Sequence, residues 1–291
     1  MGEIPKPLRR RQSRFLPASK RSRRATARDG RILLALAKMR FLTTSQLARL
    51  YFGGSRSATN KRLRTLMDQG LVRVWARNLS EENLYSITRA GDREVQKTTG
   101  GRDHAPSPPR GPDGNLDHLL AINEVRVSLA VSLPRVRGML TWWRSEWDLR
   151  AVGPSRLIPD ALFSIRWEDG QEHSFALELD NATKSIGGFL KKMLRYEAVG
   201  ISQSGLFGIF GFLILVVGRE PRWVERYRDS LDEGACGGAV WFAALDDLKK
   251  EGVEGSIWTT TEGVKRYSLR EISSLPYSTE GIGRETCLIS G

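Results

Sequence analysis

The segment from residue 31 to residue 97 constrains the fold more than any other part of this chain, because helical patterns follow one another there in a fixed order. Apolar residues at helical spacing predict a first helix from Arg31 onward. Thr43 and Gln46 are spaced as a capping box, in which each residue caps the backbone of the other. They predict a short second helix over about 44–52.

The same segment continues with a third helix and a hairpin. The helix is predicted over about 56–69, and two strands over about 71–75 and 84–87 follow around a polar turn. Helix, short helix, helix and hairpin in this order indicate a winged helix-turn-helix, a fold that binds DNA with its third helix in the major groove. Winged helices also serve as protein-docking modules, so that alternative stays open.

The third helix and the hairpin carry polar and basic side chains that suit contacts with DNA. Side chains three or four positions apart share one face of a helix, so they can enter one groove together. Lys61, Arg62 and Arg64 cluster on this helix, and the cluster favours DNA over a protein partner. We predict that the DNA-binding residues are Ser57, Asn60, Lys61 and Arg64 on the helix, with Arg73 and Arg77 at the phosphates.

The excess positive charge is confined to the first hundred residues. Residues 1–100 contain 23 Lys and Arg against 7 Asp and Glu, whereas residues 101–291 contain 23 against 26. Because Lys and Arg bind a phosphate backbone by releasing counterions, we expect nucleic-acid binding in the first part and a different task in the second. A basic surface without a ligand would explain the total of +13 but not its concentration.

Composition restricts the class of protein. A length of 291 residues with 40% hydrophobic content predicts about two folded domains. The 2 Cys and 3 His lack the spacing of zinc ligands, and isolated cysteines fit a reducing compartment. The longest apolar run, residues 206–217, is shorter than the roughly 20 residues that a membrane helix needs, and it predicts a buried strand. We expect a cytoplasmic protein without an export signal.

Local composition divides the chain into five segments. The Arg-rich and Lys-rich residues 1–28 lack apolar periodicity and predict a disordered arm. Residues 29–97 hold the winged helix-turn-helix, and the Pro-rich and Gly-rich residues 98–115 predict a linker. Residues 116–262 alternate helices and strands, which indicates an α/β domain with a mixed sheet and an α+β chain as a whole. Residues 263–291 predict a C-terminal tail.

A predicted hairpin in the second domain gathers carboxylates on one side. Its strands lie at about 157–165 and 174–180, and side chains alternate between the two faces of a strand. A three-residue connection, 168–170, makes the apolar faces of the two strands coincide and lets Gly170 take a positive φ. A two-residue connection would mix apolar and polar positions. The favoured register places three acids on one side: Asp160, Glu178 and Asp180.

Carboxylates that converge on one sheet face suit a hard divalent cation. Mg²⁺ or Mn²⁺ takes such oxygen ligands and can activate water for phosphodiester hydrolysis. The alternative is that the polar face is exposed to solvent or forms salt bridges to the following helix. Residue spacing alone leaves both interpretations open.

Two short motifs resemble a known nuclease pattern. Pro159-Asp160 and Glu178-Leu179-Asp180, on successive strands, look like the PD-(D/E)xK nuclease superfamily. The whole chain, a winged helix followed by that fold, is similar to the replication-relaxation family of plasmid and other mobile-element proteins over roughly residues 28–260. The resemblance implies a restriction-endonuclease-like mixed-sheet domain. It also implies that Asp160 and Glu178 bind the metal ion, with Glu124 or Glu146 as a further acid.

This chain departs from the superfamily pattern at the lysine. Asp180 stands where the pattern has Lys, and a carboxylate cannot supply the positive charge that would stabilise the transition state. Lys184, Lys191 or Lys192 of the next predicted helix could replace it, or these lysines could remain solvated. The candidate catalytic residues are therefore Asp160, Glu178, Asp180, Lys184 and Lys191.

Three functions are compatible with these patterns. The favoured one is a DNA-binding regulator or replication accessory factor whose second domain keeps a nuclease-like fold without necessarily cutting. The second is a metal-dependent DNA endonuclease that the winged helix targets to its site. The third is a protein-docking role within a replication or mobilisation complex. The expected partners are double-stranded DNA, replication or mobilisation proteins and a second copy of the chain, with no membrane, in the bacterial cytoplasm at the nucleoid or on a plasmid.

Overall fold

The structure, a computed structural model, describes residues 26–275 except 77, 79, 101–106, 154, 181–184, 202–204, 232–234, 262 and 264. The chain divides into two compact units at Leu116 and Asp117. We call them the N-terminal unit and the C-terminal unit. No described helix combines the length and the apolar character that a membrane crossing requires.

The N-terminal unit shows the predicted order of helices and strands. A short strand between the first two helices pairs with the second hairpin strand, Leu42 opposite Tyr85, and completes an antiparallel sheet of order β1-β3-β2. Sequence periodicity missed this strand because it is two residues long. The elements are α1 (Ala27–Met39), β1 (Leu42–Thr43), α2 (Thr44–Tyr51), α3 (Arg56–Asp68), β2 (Val72–Trp75), β3 (Leu84–Ile87) and α4 (Arg89–Thr99).

The boundaries of this unit differ from the predicted ones by a few residues. Helix α1 begins at Ala27, inside the predicted arm, because the Thr26 hydroxyl accepts a hydrogen bond from the N–H of Asp29 and caps the helix. The predicted arm up to residue 25 lies outside the described residues. At the other end, α4 extends to Thr99, two residues into the predicted linker. The capping box of Thr43 and Gln46 is present at α2.

The C-terminal unit contains a five-stranded mixed sheet of order β4-β5-β6-β7-β8. The pairs β4–β5 and β5–β6 are antiparallel, and the pairs β6–β7 and β7–β8 are parallel. The elements are α5 (Leu116–Ser132), β4 (Gly138–Ser145), α6 (Glu146–Val152), β5 (Ala161–Trp167), β6 (Glu172–Asp180), α7 (Ile186–Ile201), β7 (Phe212–Gly218), α8 (Pro221–Arg228), β8 (Val240–Ala244), α9 (Leu245–Glu251) and α10 (Leu269–Ser274).

Helices cover both faces of this sheet, so its central strands are apolar on both sides. One core includes Val125 of α5 and Ile272 of α10, packed against the face that carries Phe163. The other core includes Met193 of α7 and Tyr227 of α8, packed against the opposite face. Strand β7 is therefore buried at every position, which explains its uninterrupted apolar sequence.

The predicted hairpin register is confirmed. Trp167 donates its backbone N–H to the Gln171 carbonyl at 2.9 Å, which leaves three connecting residues, and Gly170 has a φ of 83°. Ala161 lies opposite Leu177. Asp160 immediately precedes β5, and its backbone N–H donates to the Leu177 carbonyl at 3.0 Å. The start of β5 and the end of β6 therefore bring the acids to one edge of the sheet.

Three sequence-based boundaries in this unit are wrong. The sequence from residue 140 to residue 147 predicts a strand with Glu146 near its end, but Glu146 opens helix α6, because Ser145 caps that helix. Strand β7 starts at Phe212 and not at residue 206, because Gly208 and Gly211 have φ values of 78° and 60° that an extended strand cannot contain. The predicted tail from residue 263 contains α10, whose Leu269 is fully buried in the core.

Candidate functional site

Helix α3 presents a polar stripe on its outer side. Ser55 caps the helix by accepting a hydrogen bond from the N–H of Ala58, and Leu63 and Leu66 are buried beneath it. Burying these two leucines turns the opposite side of the helix toward solvent. The four helix residues predicted to bind DNA are all exposed: Ser57, Asn60, Lys61 and Arg64.

Arg62 does not belong to this stripe, although the sequence clusters it with its basic neighbours. Its guanidinium turns inward to the Asp29 carboxylate, with Nε 2.5 Å from Oδ1 and Nη2 paired to Oδ2. Asp29 is 1% exposed and also accepts hydrogen bonds from the backbone and hydroxyl of Thr26. Burial opposes ionisation of Asp29, but the hydrogen bonds from Arg62 and Thr26 outweigh it and hold the pKa below its ordinary value. Arg62 therefore fixes α3 against α1.

Replacing Asp29 with Ala should loosen the attachment of α3 by about 1.5–3 kcal/mol, because charged hydrogen bonds are lost and Arg62 loses its counter-ion. We expect hydrogen exchange of the α3 amides in the full chain to become about 10–100-fold faster.

The stabilisation by this pair also depends on pH, because the pKa of Asp29 is lower in the folded protein than in the unfolded chain. It is fully present above the unfolded pKa of about 4 and is lost as the pH falls through the folded pKa. Equal protection in the wild type and the variant at pH 7 would contradict the role of the pair. Adding Arg62→Ala to Asp29→Ala should cause little further loss of protection of the α3 amides.

The hairpin contributes one described cation to the same unit. Arg73 of β2 is exposed, and its guanidinium lies 5.3 Å from the centre of the Trp75 ring. Stacking on an indole holds the guanidinium in a defined position without removing its charge. Arg77, the second predicted phosphate contact, lies outside the described residues.

Glu82, between β2 and β3, is an acid that sequence reasoning did not assign. Its carboxylate accepts hydrogen bonds from the backbone N–H of Ser45 at 3.1 Å and from the Ser45 hydroxyl at 2.5 Å, and it pairs with Arg56. Burial raises the pKa of Glu82, but the hydrogen bonds from Ser45 and the charge of Arg56 lower it below its ordinary value. These contacts join residues up to 37 positions apart, so no local pattern could reveal them.

Asp160 is held from two sides in the C-terminal unit. His118 Nε2, on α5, lies 3.1 Å from Asp160 Oδ1, and the backbone N–H of Leu179 donates to Oδ2 at 2.7 Å. Asp160 is 8% exposed. A charged side chain at such a depth requires partners, and both of its oxygens are engaged by groups of the protein.

Glu178 is held by two side chains of helix α7. Lys192 donates from Nζ to Oε2 at 2.5 Å, and the Tyr196 hydroxyl donates to Oε1 at 2.6 Å. Lys192 and Tyr196 are four positions apart and so lie on one face of the helix. Burial raises the pKa of Tyr196, as does the neighbouring Glu178 carboxylate, so this hydroxyl stays protonated and donates.

Asp180 lies two positions beyond Glu178 on β6, so both side chains point to the same face of the sheet. It is 5% exposed, and neither carboxylate oxygen has a hydrogen-bond partner of normal geometry among the described residues. The hydroxyl of Tyr227, on α8, is its neighbour. Burial raises the pKa of Tyr227, and the Asp180 carboxylate adds to that rise.

The predicted metal ligands do not form one group. Among the residues that the structure describes, no three Asp, Glu, His or Cys side chains converge as a metal site. Glu124 is buried in α5, whereas Glu146 pairs with Arg150 one turn along its own helix, with Oε1 2.5 Å from Nη2. The ammonium of Lys192 supplies the positive charge beside Glu178 that a cation would supply. As arranged, these residues do not fit Mg²⁺ or Mn²⁺.

Of the three lysines considered for the displaced position, Lys192 faces the carboxylates. Lys191 is exposed, and Lys184 lies outside the described residues. The sheet face with the acids is buried and forms a salt bridge to the following helix, as one of the two sequence interpretations proposed. His118, Tyr196 and Tyr227 were not assigned to the site from sequence. The four-residue spacing of Lys192 and Tyr196 was the available signal.

Comparisons with known proteins agree with part of this description. The sequence model of the family described as replication-relaxation matches residues 33–207. No curated protein matches the chain. Two solved structures of Lactococcus lactis ZitR, both of the C30AH42A mutant and one in apo form, match at 23% and 22% identity with TM-scores of 0.23. The matches cover 26% and 27% of this chain and 57% and 53% of ZitR, so the chain spans little more than half of those structures.

Proposed function

Because the chain belongs to the replication-relaxation family, we propose that it is a DNA-binding accessory or regulatory protein of replication or of mobile elements. One observation carries this proposal: the exposed polar stripe of α3 lies in the part of the chain that holds all the excess positive charge. Its proposed partners are duplex DNA and replication or mobilisation proteins. We place it in the bacterial cytoplasm, at the nucleoid or on a plasmid, where it could act as a homodimer.

In this proposal the N-terminal unit is a winged helix that reads duplex DNA. Helix α3 enters the major groove, where Asn60 and Arg64 can meet base edges, and Lys61 meets a phosphate. The hairpin β2–β3 is the wing, from which Arg73 reaches the backbone. The buried pair of Asp29 and Arg62 supports this role because it fixes the angle of α3.

We further propose that the C-terminal unit keeps a restriction-endonuclease-like fold without cutting DNA. The support is the pairing of Lys192 with Glu178, together with the contacts that engage both oxygens of Asp160. A buried carboxylate that already has an ammonium partner is electrically compensated, so it has little need of a metal ion. The proposed domains have the limits predicted from the sequence, with one exception. The second domain does not end at residue 262 but extends through α10.

A metal-dependent endonuclease is the second candidate, and Asp180 is the observation that favours it. Its buried carboxylate has no hydrogen-bond partner of normal geometry among the described residues, and such a group attracts a cation. Against this candidate, Lys192 occupies the position beside Glu178 that a metal ion would take.

Incubation of the full-length protein with supercoiled, linear and single-stranded DNA, in Mg²⁺ or Mn²⁺, separates the two candidates. A Glu178→Gln variant purified in the same way is the control. We expect both proteins to bind duplex DNA, with an affinity that falls steeply as salt rises, and neither to nick it. Metal-dependent nicking that the variant loses would establish the endonuclease. No binding to any duplex would overturn the DNA-binding proposal.

A further inference from the structure

Glu82 places a negative charge within the surface that faces DNA under the proposed function. Its partner Arg56 is the first residue of α3, one turn before Asn60 on the exposed side of the helix. The Arg56 side chain is 60% exposed and that of Glu82 is 26% exposed, so both can be reached from solvent. A carboxylate at this position repels the phosphates of DNA unless it moves away from Arg56 when DNA binds.

The groups that hold Glu82 are those that hold phosphate in proteins. The backbone N–H of Ser45 lies in the first turn of α2, where the helix itself provides no acceptor. The hydroxyls of Ser45 and Thr43 and the Arg56 guanidinium complete a set of donors that suits an anionic oxygen. In the free protein these donors hold the carboxylate of Glu82, which lies 37 positions from Ser45 in the sequence.

We propose that Ser45 and Arg56 form a binding site for a phosphate of the duplex backbone and that Glu82 is its built-in competitor. The inference rests on the proposed DNA-binding function. A duplex lying along α3 brings a phosphate near Arg56, and this phosphate takes the donors that Glu82 releases. Glu82 then lowers the affinity for every duplex alike, because it acts on the backbone and not on the bases.

The exchange also predicts how affinity depends on salt. Each phosphate that a protein cation neutralises adds about 0.9 to the slope of log affinity against log salt. In the wild type, Arg56 exchanges one anion for another, because the carboxylate already neutralises it. The released counterions come from the duplex, and the freed Glu82 carboxylate of the wild type retains a cation beside it. Removing that carboxylate charge therefore makes the slope steeper by up to about 0.9.

Glu82→Gln in the full chain tests the proposal, because the amide has the size of the carboxylate and can still accept from Ser45. We expect its affinity for a duplex to rise about tenfold at moderate salt, with the steeper slope. Glu81→Gln is the matched control. It removes the same charge one residue earlier, where the side chain accepts from the N–H of Asn78, and we expect less than a twofold change.

Arg56→Ala tests the same site from the other side and remains informative if Glu82→Gln does not fold, because Arg56 is exposed. We expect it to weaken duplex binding severalfold and to cancel the gain from Glu82→Gln in the double variant. If Glu82→Gln and Glu81→Gln bound duplex equally well, or if Glu82→Gln bound it more weakly than the wild type, Glu82 would not be a competitor of the phosphate. An unchanged affinity for Arg56→Ala would overturn the phosphate site. If the wild type and all variants fail to bind duplex, the proposed function fails and this inference fails with it.

Discussion

Replacement of Lys192 with Met should lower the free energy of unfolding of the C-terminal unit by about 3–5 kcal/mol, because it leaves the Glu178 carboxylate buried without its counter-ion. The Glu178 side chain is 6% exposed and that of Lys192 is 21% exposed, so the carboxylate cannot recover its hydration by a small movement. Hydrogen exchange of the β6 amides in the full chain measures the loss locally. Chelation of divalent ions should leave the exchange of the wild type unchanged.

Two variants control for this effect. Lys191→Met removes the same charge from the exposed neighbouring position and should change the stability by less than about 0.5 kcal/mol. Glu178→Gln combined with Lys192→Met removes both charges and keeps an acceptor for Tyr196, so it should recover much of the loss. If Lys192→Met were as stable as the wild type, or if Mg²⁺ protected the wild-type β6 amides strongly, the idea that Lys192 replaces a metal ion would be wrong.

Replacement of both Lys61 and Arg64 with Ala should lower the affinity for duplex DNA about 100-fold or more, since each contact with a base edge or phosphate contributes about 1–3 kcal/mol. The slope of log affinity against log salt should also fall by up to about 1.8, because as many as two counterions are no longer released. Fluorescence anisotropy with a labelled duplex at several salt concentrations measures both quantities.

Arg93→Ala combined with Lys97→Ala is the matched control for the α3 variant. Both residues are exposed, lie four positions apart on α4 of the same unit, and carry the same total charge as Lys61 and Arg64. We expect this control to bind within about threefold of the wild type, because α4 is not the helix proposed to enter the groove. Equal losses in the two double variants would show that overall charge, and not the α3 stripe, drives binding.

The sequence by itself determined much of the local structure. Helical spacing predicted α1 and α3, because an amphipathic pattern has one stable way to bury its apolar face. The capping box of Thr43 and Gln46 placed α2 within one residue at either end. Parity along the hairpin predicted the register of β5 and β6, since a shift of one residue would have placed Phe163 and Phe175 on opposite faces of the sheet.

Tertiary structure alone decided which charged side chains act together. Lys191 and Lys192 are neighbouring lysines that the sequence does not distinguish, but of the two Lys192 faces Glu178. The rotation of α7 about its axis decides this, and the burial of Met193 and Tyr196 against the sheet sets that rotation. Similarly, Arg62 lies beside Lys61 in sequence but turns inward, because Asp29 lies 33 positions earlier and meets it only in the folded unit. Local spacing reports the period of a helix or strand. The direction in which a charge points, and the partner that it meets, depend on contacts between distant parts of the chain.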